Sequence, residues 1–227
     1  MLLIKSLIGW VIQIVVMGTI LLLPADTWLW SEAIILLVVW AILGLSGTIY
    51  LSIFYPKSLE ARMIFPISKR QPVSDRFATI FIIIAVAFWL TFIPMDVFKF
   101  QLLPTPIIQL QVLGLFLVIV GYVLTIIAII QNEFAVPSVI NQSDRGQELR
   151  DTGLYGKIRH PFYLGFLVCF GGLPLWLKSY AGLIGLSLIL IGFVGRIFVE
   201  ERILRKTLPG YTEYTARVPY RLVPFLW

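Results

Sequence analysis

The chain has 227 residues, of which 59% are hydrophobic and only 13% are charged. Soluble domains carry about 25% charged residues, so this composition excludes an ordinary water-soluble globule, a disordered chain and a collagen-like chain. One cysteine and one histidine exclude a disulfide framework and a Cys/His zinc cluster. The net charge of +6 does not by itself indicate a nucleic-acid-binding protein, which needs a solvated basic stripe. The composition instead indicates that a lipid bilayer is the solvent.

Four apolar stretches approach or exceed the length of about 20 residues that crosses a bilayer. They are residues 7–23, 33–54, 77–93 and 107–130, and all four lack Lys, Arg, Asp and Glu. The first is expected to be an anchor, since no small-x-small cleavage pattern closes it. A further apolar region, residues 162–199, is too long for one span and is interrupted near Pro174 and Lys178, which predicts a helical hairpin. We therefore predict an all-α multi-pass transmembrane bundle of five to six spans, with four spans in residues 1–131 and the hairpin in residues 132–227.

The distribution of Lys and Arg predicts the orientation of these spans. With six spans and a cytoplasmic N-terminus, every Lys and Arg except Lys99 and Lys178 lies on the cytoplasmic side. The cytoplasmic set includes Lys69, Arg70 and Arg145. We therefore expect both termini to be cytoplasmic.

Polar residues concentrate in two clusters on the predicted cytoplasmic side. One occupies residues 131–161, and the other begins at Arg196 inside the last span and continues through Glu200 and Glu201. Polar groups in or beside a bilayer are costly, so such clusters are candidates for a functional site. Arg196 and Glu200 are four residues apart and share a helix face. A solvated ion pair at an interfacial helix end would explain the same spacing.

The common soluble enzyme patterns are absent from the sequence. There is no Gly-x-Ser-x-Gly, no phosphate-binding loop and no Gly-x-Gly-x-x-Gly after a strand. The residues alone therefore predict a helical membrane protein with a polar site at its cytoplasmic face.

Two segments carry a family resemblance. Residues 152–165 read TGLYGKIRHPFYLG, and residues 196–219 contain the Glu200–Glu201 pair and end in Arg-Val-Pro. Together they resemble the motifs of the isoprenylcysteine carboxyl methyltransferase family, integral membrane enzymes that use S-adenosyl-L-methionine. The resemblance extends over residues 133–227, and residues 144–147 and 220–227 are similar to the bacterial branch. It implies a multi-pass protein of the bacterial inner membrane.

The resemblance also implies roles for individual residues. It implies cofactor contacts by Gln147, Glu148, Leu149, Arg150, Tyr155, His160, Pro161, Phe162, Tyr163 and Glu200. Arg196 falls where the family places an arginine that faces the substrate carboxylate, and it is the implied catalytic residue. The stretch between Leu208 and Tyr211 is one residue shorter than in eukaryotic members, which leaves the roles of Tyr211 and Tyr214 open.

The implied reaction is methyl transfer to a lipophilic or lipidated acceptor, first of all a carboxylate such as a prenylcysteine-like C-terminus. The expected partners are this substrate and membrane lipids, with no nucleic acid and no metal. One alternative is an NADPH-dependent sterol-type reductase, whose motif favours an Asn and an acid where this chain has Phe162 and Phe166. A second alternative is a non-enzymatic membrane scaffold.

Overall fold

A computed structural model describes residues 1–63, 67, 71–136 and 146–227 of the chain. These residues form eight α-helices and no strand: α1 (Leu2–Ala25), α2 (Ser31–Phe54), α3 (Pro56–Arg62), α4 (Val73–Met95), α5 (Ile108–Gln131), α6 (Pro161–Trp176), α7 (Tyr180–Thr207) and α8 (Tyr211–Arg217). A π-helical turn, Asp96–Phe100, extends α4, and a 3₁₀ turn, Gly153–Gly156, precedes α6. The predictions that concern Lys69, Arg70, Asp144 and Arg145 lie outside the described residues.

Five helices are long and apolar enough to cross a membrane: α1, α2, α4 with its π-helical turn, α5 and α7. Each coincides with a predicted span. The sixth apolar helix, α6, has 16 residues, or about 24 Å at 1.5 Å per residue, which is less than a hydrocarbon core of about 30 Å. The chain is therefore an all-helical integral membrane protein, as predicted, with five full-length candidate spans and one short helix.

The predicted hairpin consists of α6 and α7, joined by a tight turn. Lys178 adopts the left-handed conformation with φ of 67°, and Ser179 caps α7 by accepting a hydrogen bond from the Gly182 N–H at 2.8 Å. The Ser179 hydroxyl also donates to the buried carboxylate of Asp96 at 2.6 Å. This contact fastens the hairpin turn to the end of α4.

Glycines allow α5 and α6 to pack with their backbones nearly in contact. A Cβ atom on Gly121 would lie 2.3 Å from the backbone nitrogen of Cys169, and one on Gly165 would lie 2.3 Å from Oγ1 of Thr125. Small residues at membrane helix interfaces permit this close approach. The packing brings the start of α6 against the end of α5, where many of the polar residues lie.

A second interface joins α4 to α7. The Trp89 side chain is buried, and its Nε1–H donates to the backbone oxygen of Gly182 at 2.6 Å. Nearer the other end of α4, a Cβ atom on Gly192 would lie 2.8 Å from Ile82. This interface places the first turn of α4 beside the middle of α7.

Candidate functional site

A cavity of about 620 Å³, including its open mouth, lies where α5 ends and α6 begins. Its walls come from the ends of α5 and α7, the start of α6, the 3₁₀ turn, α8 and residues 147–150. Segments far apart in the sequence therefore build one site.

Nine of the ten predicted cofactor residues line this cavity: Gln147, Glu148, Leu149, Arg150, Tyr155, His160, Phe162, Tyr163 and Glu200. The tenth, Pro161, is not part of the lining; it is the buried first residue of α6. Arg196 is also absent from the lining, one helical turn before Glu200. The structure brings the predicted residues together, while their roles stay predictions.

Glu200 is held in place at the cavity wall by a tyrosine. The hydroxyl of Tyr163 donates to Oε2 of Glu200 at 2.6 Å. The Tyr163 ring is itself packed between the rings of His160 and Phe193, with centroid distances of 5.6 and 5.3 Å. These contacts fix the position of the Glu200 carboxylate at the cavity wall.

The next residue, Glu201, faces a different part of the protein. It is 4% exposed, and its Oε1 lies 2.7 Å from Nε of Arg159 and 3.2 Å from Nε2 of His160. Its Oε2 lies 3.2 Å from Nη2 of Arg221. We call these four side chains the Glu201 network. Arg159 and His160 also line the cavity, so Glu201 lies directly behind two residues of its wall.

Backbone hydrogen bonds also join Arg159 and His160 to the segment after α8. The N–H groups of Arg159 and His160 donate to the carbonyl oxygens of Tyr220 and Arg221, each at 2.9 Å. The Arg159 guanidinium also donates to the carbonyl of Val218 at 2.7 Å. The segment after α8 is thereby fixed to two residues of the cavity wall.

The tyrosines of the cavity are neutral donors. Tyr214 donates to the backbone oxygen of Tyr155 at 2.7 Å, and Tyr155 contacts the carbonyl of Ala128 at 3.4 Å. Burial raises the pKa of both phenols above the ordinary value, and the charge of Glu200 raises the pKa of Tyr155 further. Both residues therefore remain protonated in the physiological range.

Tyr211 differs from these two tyrosines because its hydroxyl is unengaged. The residue is 4% exposed and lines the cavity, yet within the described part of the chain its Oη has no hydrogen-bond partner. Burial raises its pKa too, so the group is a neutral donor. A buried polar group without a partner costs about 1–3 kcal/mol, which a ligand with an acceptor atom at this position would offset.

The structure reveals a partner for Arg196 that the sequence analysis missed. Arg196 is 4% exposed, and its Nε lies 3.5 Å from Oδ1 of Asp75, which is fully buried in the first turn of α4. Gln71 donates to the other oxygen of Asp75, and the Arg196 guanidinium lies 6.0 Å from the centroid of the Tyr163 ring. An acid two residues before a predicted span was the available signal, because charge beside a bilayer is costly.

Some other cavity residues carried no chemical signal in the sequence. These include Phe134 after α5 and Leu208 after α7. They became part of a site only through the packing of helices.

The fold and the cavity define a multi-pass helical membrane protein with a polar, tyrosine-lined site at one end of its bundle. Residues 108–209 match the model of the phospholipid methyltransferase family, which includes isoprenylcysteine carboxyl methyltransferase-like membrane enzymes. A comparison with curated proteins gives no match for this chain. The match covers α5, α6 and α7, confirms the family resemblance of the sequence motifs, and supports a membrane methyltransferase.

Proposed function

We propose that the protein is an S-adenosyl-L-methionine-dependent membrane methyltransferase that acts on a lipophilic acceptor. The observation that carries the proposal is the convergence of nine motif residues on one cavity, within the region that matches a methyltransferase family. We further propose that the cavity opens to the cytoplasm of a bacterial inner membrane, since the basic residues concentrate at this end.

The lining has the chemistry that this cofactor requires. S-adenosyl-L-methionine carries an ammonium, a sulfonium and a carboxylate, so its site needs groups of both signs. Glu200, fixed by Tyr163, would hold the ammonium group. Arg150 and the unengaged Tyr211 hydroxyl would donate to the carboxylate or the ribose, and Phe162 offers apolar surface to the adenine ring.

The cofactor supplies a methyl group: the acceptor atom forms a bond to the methyl carbon, the carbon–sulfur bond breaks, and its electron pair stays on sulfur. For the protein, the task is then to orient two molecules and exclude water. A carboxylate acceptor, with a pKa near 4, is already ionised and needs no general base. Arg196 would orient this carboxylate, and Asp75, whose Oδ1 lies 3.5 Å from Nε of Arg196, would hold the guanidinium in place.

A phospholipid amine is the second candidate acceptor, and the Asp75–Arg196 contact favours it. Asp75 already compensates the charge of Arg196, which weakens the attraction for an incoming carboxylate. An amine must lose a proton before or during the transfer. His160 and Glu201 are the nearby acid–base groups, but each is engaged by the other in the Glu201 network.

Calorimetry on the purified full-length protein in lipid nanodiscs tests the cofactor. We expect binding of S-adenosyl-L-methionine and no binding of NADPH, and the reverse preference would end the proposal. Glu200→Ala should weaken cofactor binding, whereas Arg196→Ala should preserve it and abolish turnover. Equal loss of affinity in both variants would contradict this division of roles.

The acceptor is tested with methyl-labelled cofactor and a membrane lipid extract. A carboxyl methyl ester releases labelled methanol in alkali, whereas an N-methyl group does not. Alkali-labile label supports the carboxylate acceptor, and alkali-stable label in the lipid fraction supports the amine.

A further inference from the structure

An apolar turn protrudes from the segment after α8. Phe225 is 89% exposed and Leu226 is 79% exposed, and the neighbouring Val223 is exposed as well. Phe225 also adopts the left-handed conformation, with φ of 65°, which is unfavourable for a bulky residue. Two large apolar side chains therefore point outward from a turn whose backbone is strained at Phe225.

The turn is a closed structure rather than a loose end. The carbonyl oxygen of Trp227 accepts hydrogen bonds from the N–H groups of Arg221, Leu222 and Val223, at 2.9, 3.0 and 3.2 Å. The carbonyl of Val223 accepts in turn from Leu226 and Trp227. Leu222 is buried in the core and anchors the base of the turn.

The turn packs against α7 at Phe198, in the second half of that helix. Phe198 is an exposed residue of this candidate span, 18 positions after Tyr180 and therefore about 27 Å along the helix, close to the thickness of the hydrocarbon core. The Trp227 ring packs edge-on against Phe198 at 6.0 Å, and the Arg221 guanidinium lies 5.1 Å from Phe198 and 5.2 Å from Trp227. Tryptophan and arginine at such a depth are typical of the membrane–water interface.

We propose that residues 223–226 insert into the boundary between lipid headgroups and acyl chains and form a membrane anchor. The exposed surface of Phe198 continues directly into this turn, which identifies the bilayer as the partner. Arg221 connects the anchor to Glu201 at 3.2 Å, and Glu201 in turn holds Arg159 at the cavity wall. The anchor thus fixes the position of this part of the cavity wall relative to the bilayer, whatever reaction the cavity supports.

Fluorescence of an attached NBD probe tests the insertion directly. The probe is placed at Phe225→Cys in a Cys169→Ala background, in full-length protein reconstituted in phosphatidylcholine and phosphatidylglycerol nanodiscs. Leu226→Cys is the second variant, and Glu213→Cys, at an exposed charged position of α8, is the control. Circular dichroism confirms that each labelled variant is folded.

We expect blue-shifted emission at positions 225 and 226, quenching by lipids with a nitroxide near the headgroup, and at least fivefold weaker quenching by aqueous iodide than at position 213. Iodide quenching at both turn positions equal to that at position 213 would overturn the anchor. Substitution of Phe225 and Leu226 by serine provides an independent measurement, because both side chains are outside the core. Trypsin cleavage after Arg221 in nanodiscs should then become several-fold faster, and an unchanged rate would also contradict the proposal.

Discussion

The adjacent residues Glu200 and Glu201 of α7 should respond differently to substitution by glutamine. Glu201→Gln keeps the size of the side chain but removes the charge that holds Arg159 and Arg221. Glu200→Gln removes a charge that faces the cavity, and the glutamine oxygen still accepts the hydrogen bond from Tyr163. The first change therefore affects the fold, and the second affects ligand binding.

The expected loss of stability for each variant follows from the burial of the charges that the glutamate contacts. Removing one partner of a buried ion pair costs about 3–5 kcal/mol, because the other charge stays buried without compensation. Arg159 keeps the backbone carbonyls of Val218 and Pro219 as acceptors, so we expect about 3 kcal/mol for Glu201→Gln, at the lower end of that range. Glu200→Gln loses only the charged character of one hydrogen bond, or about 1 kcal/mol. For a chain of this length, 3 kcal/mol corresponds to a decrease in Tm of about 6–12 °C.

Thermal unfolding of nanodisc samples, followed by tryptophan fluorescence, measures this difference, and calorimetry with S-adenosyl-L-methionine measures binding. Glu201→Gln should lower Tm by the larger amount. Glu200→Gln should leave Tm within a few degrees of the wild type and weaken the binding of S-adenosyl-L-methionine at least tenfold. The reasoning is refuted if both variants lower Tm equally, or if Glu201→Gln melts like the wild type.

Three further substitutions test separate features. Tyr211→Phe removes a buried hydroxyl without a protein partner among the described residues, so it should raise Tm rather than lower it. The same change should weaken cofactor binding about 5–10-fold by calorimetry, and unchanged affinity would show that no ligand uses this group. Asp75→Asn removes the carboxylate beside the buried guanidinium of Arg196 and should lower the free energy of unfolding by about 3–5 kcal/mol, measured by chemical unfolding. The exposed control Asp26→Asn should lower it by less than about 0.5 kcal/mol. Gly121→Ala places a Cβ atom 2.3 Å from a backbone nitrogen of α6 and should sharply reduce the yield of folded protein in size-exclusion chromatography. At the control position Gly9, an added Cβ atom has nothing within 4 Å, so Gly9→Ala should leave the yield unchanged. Equal yields of the two variants would refute the tight α5–α6 contact.

The helical content and the hairpin were predictable because they depend on the local sequence. The length of an apolar run decides whether a helix can cross a bilayer, and Pro174 with Lys178 and Ser179 indicated where the last region turns back. The short α6 was less apparent, since residues 162–199 only showed that the region exceeds one span. Its start follows from Pro161, which is favourable in the first turn of a helix.

The motif residues were also predictable as a set, because their order in the sequence carries the family resemblance and the packing of α6 on α5 then gathers them. The division of the chain at residue 131 stays a prediction. Asp75 was missed because its importance depends on a contact with Arg196, 121 positions later in the chain. Such contacts depend on the rotation of two helices about their axes, and no local pattern specifies it.

The sequence by itself determined that the chain is a bundle of apolar helices with its polar residues concentrated on one side, because hydropathy, charge distribution and turn residues act locally. Only the tertiary structure decided which polar residues face the cavity and which face each other. Successive residues of a helix point about 100° apart, so the packing of α7 directs Glu200 to the cavity and Glu201 to Arg159 and Arg221. The same packing buries Arg196 beside Asp75, and the tertiary structure leaves the buried Tyr211 hydroxyl without a hydrogen-bond partner among the described residues.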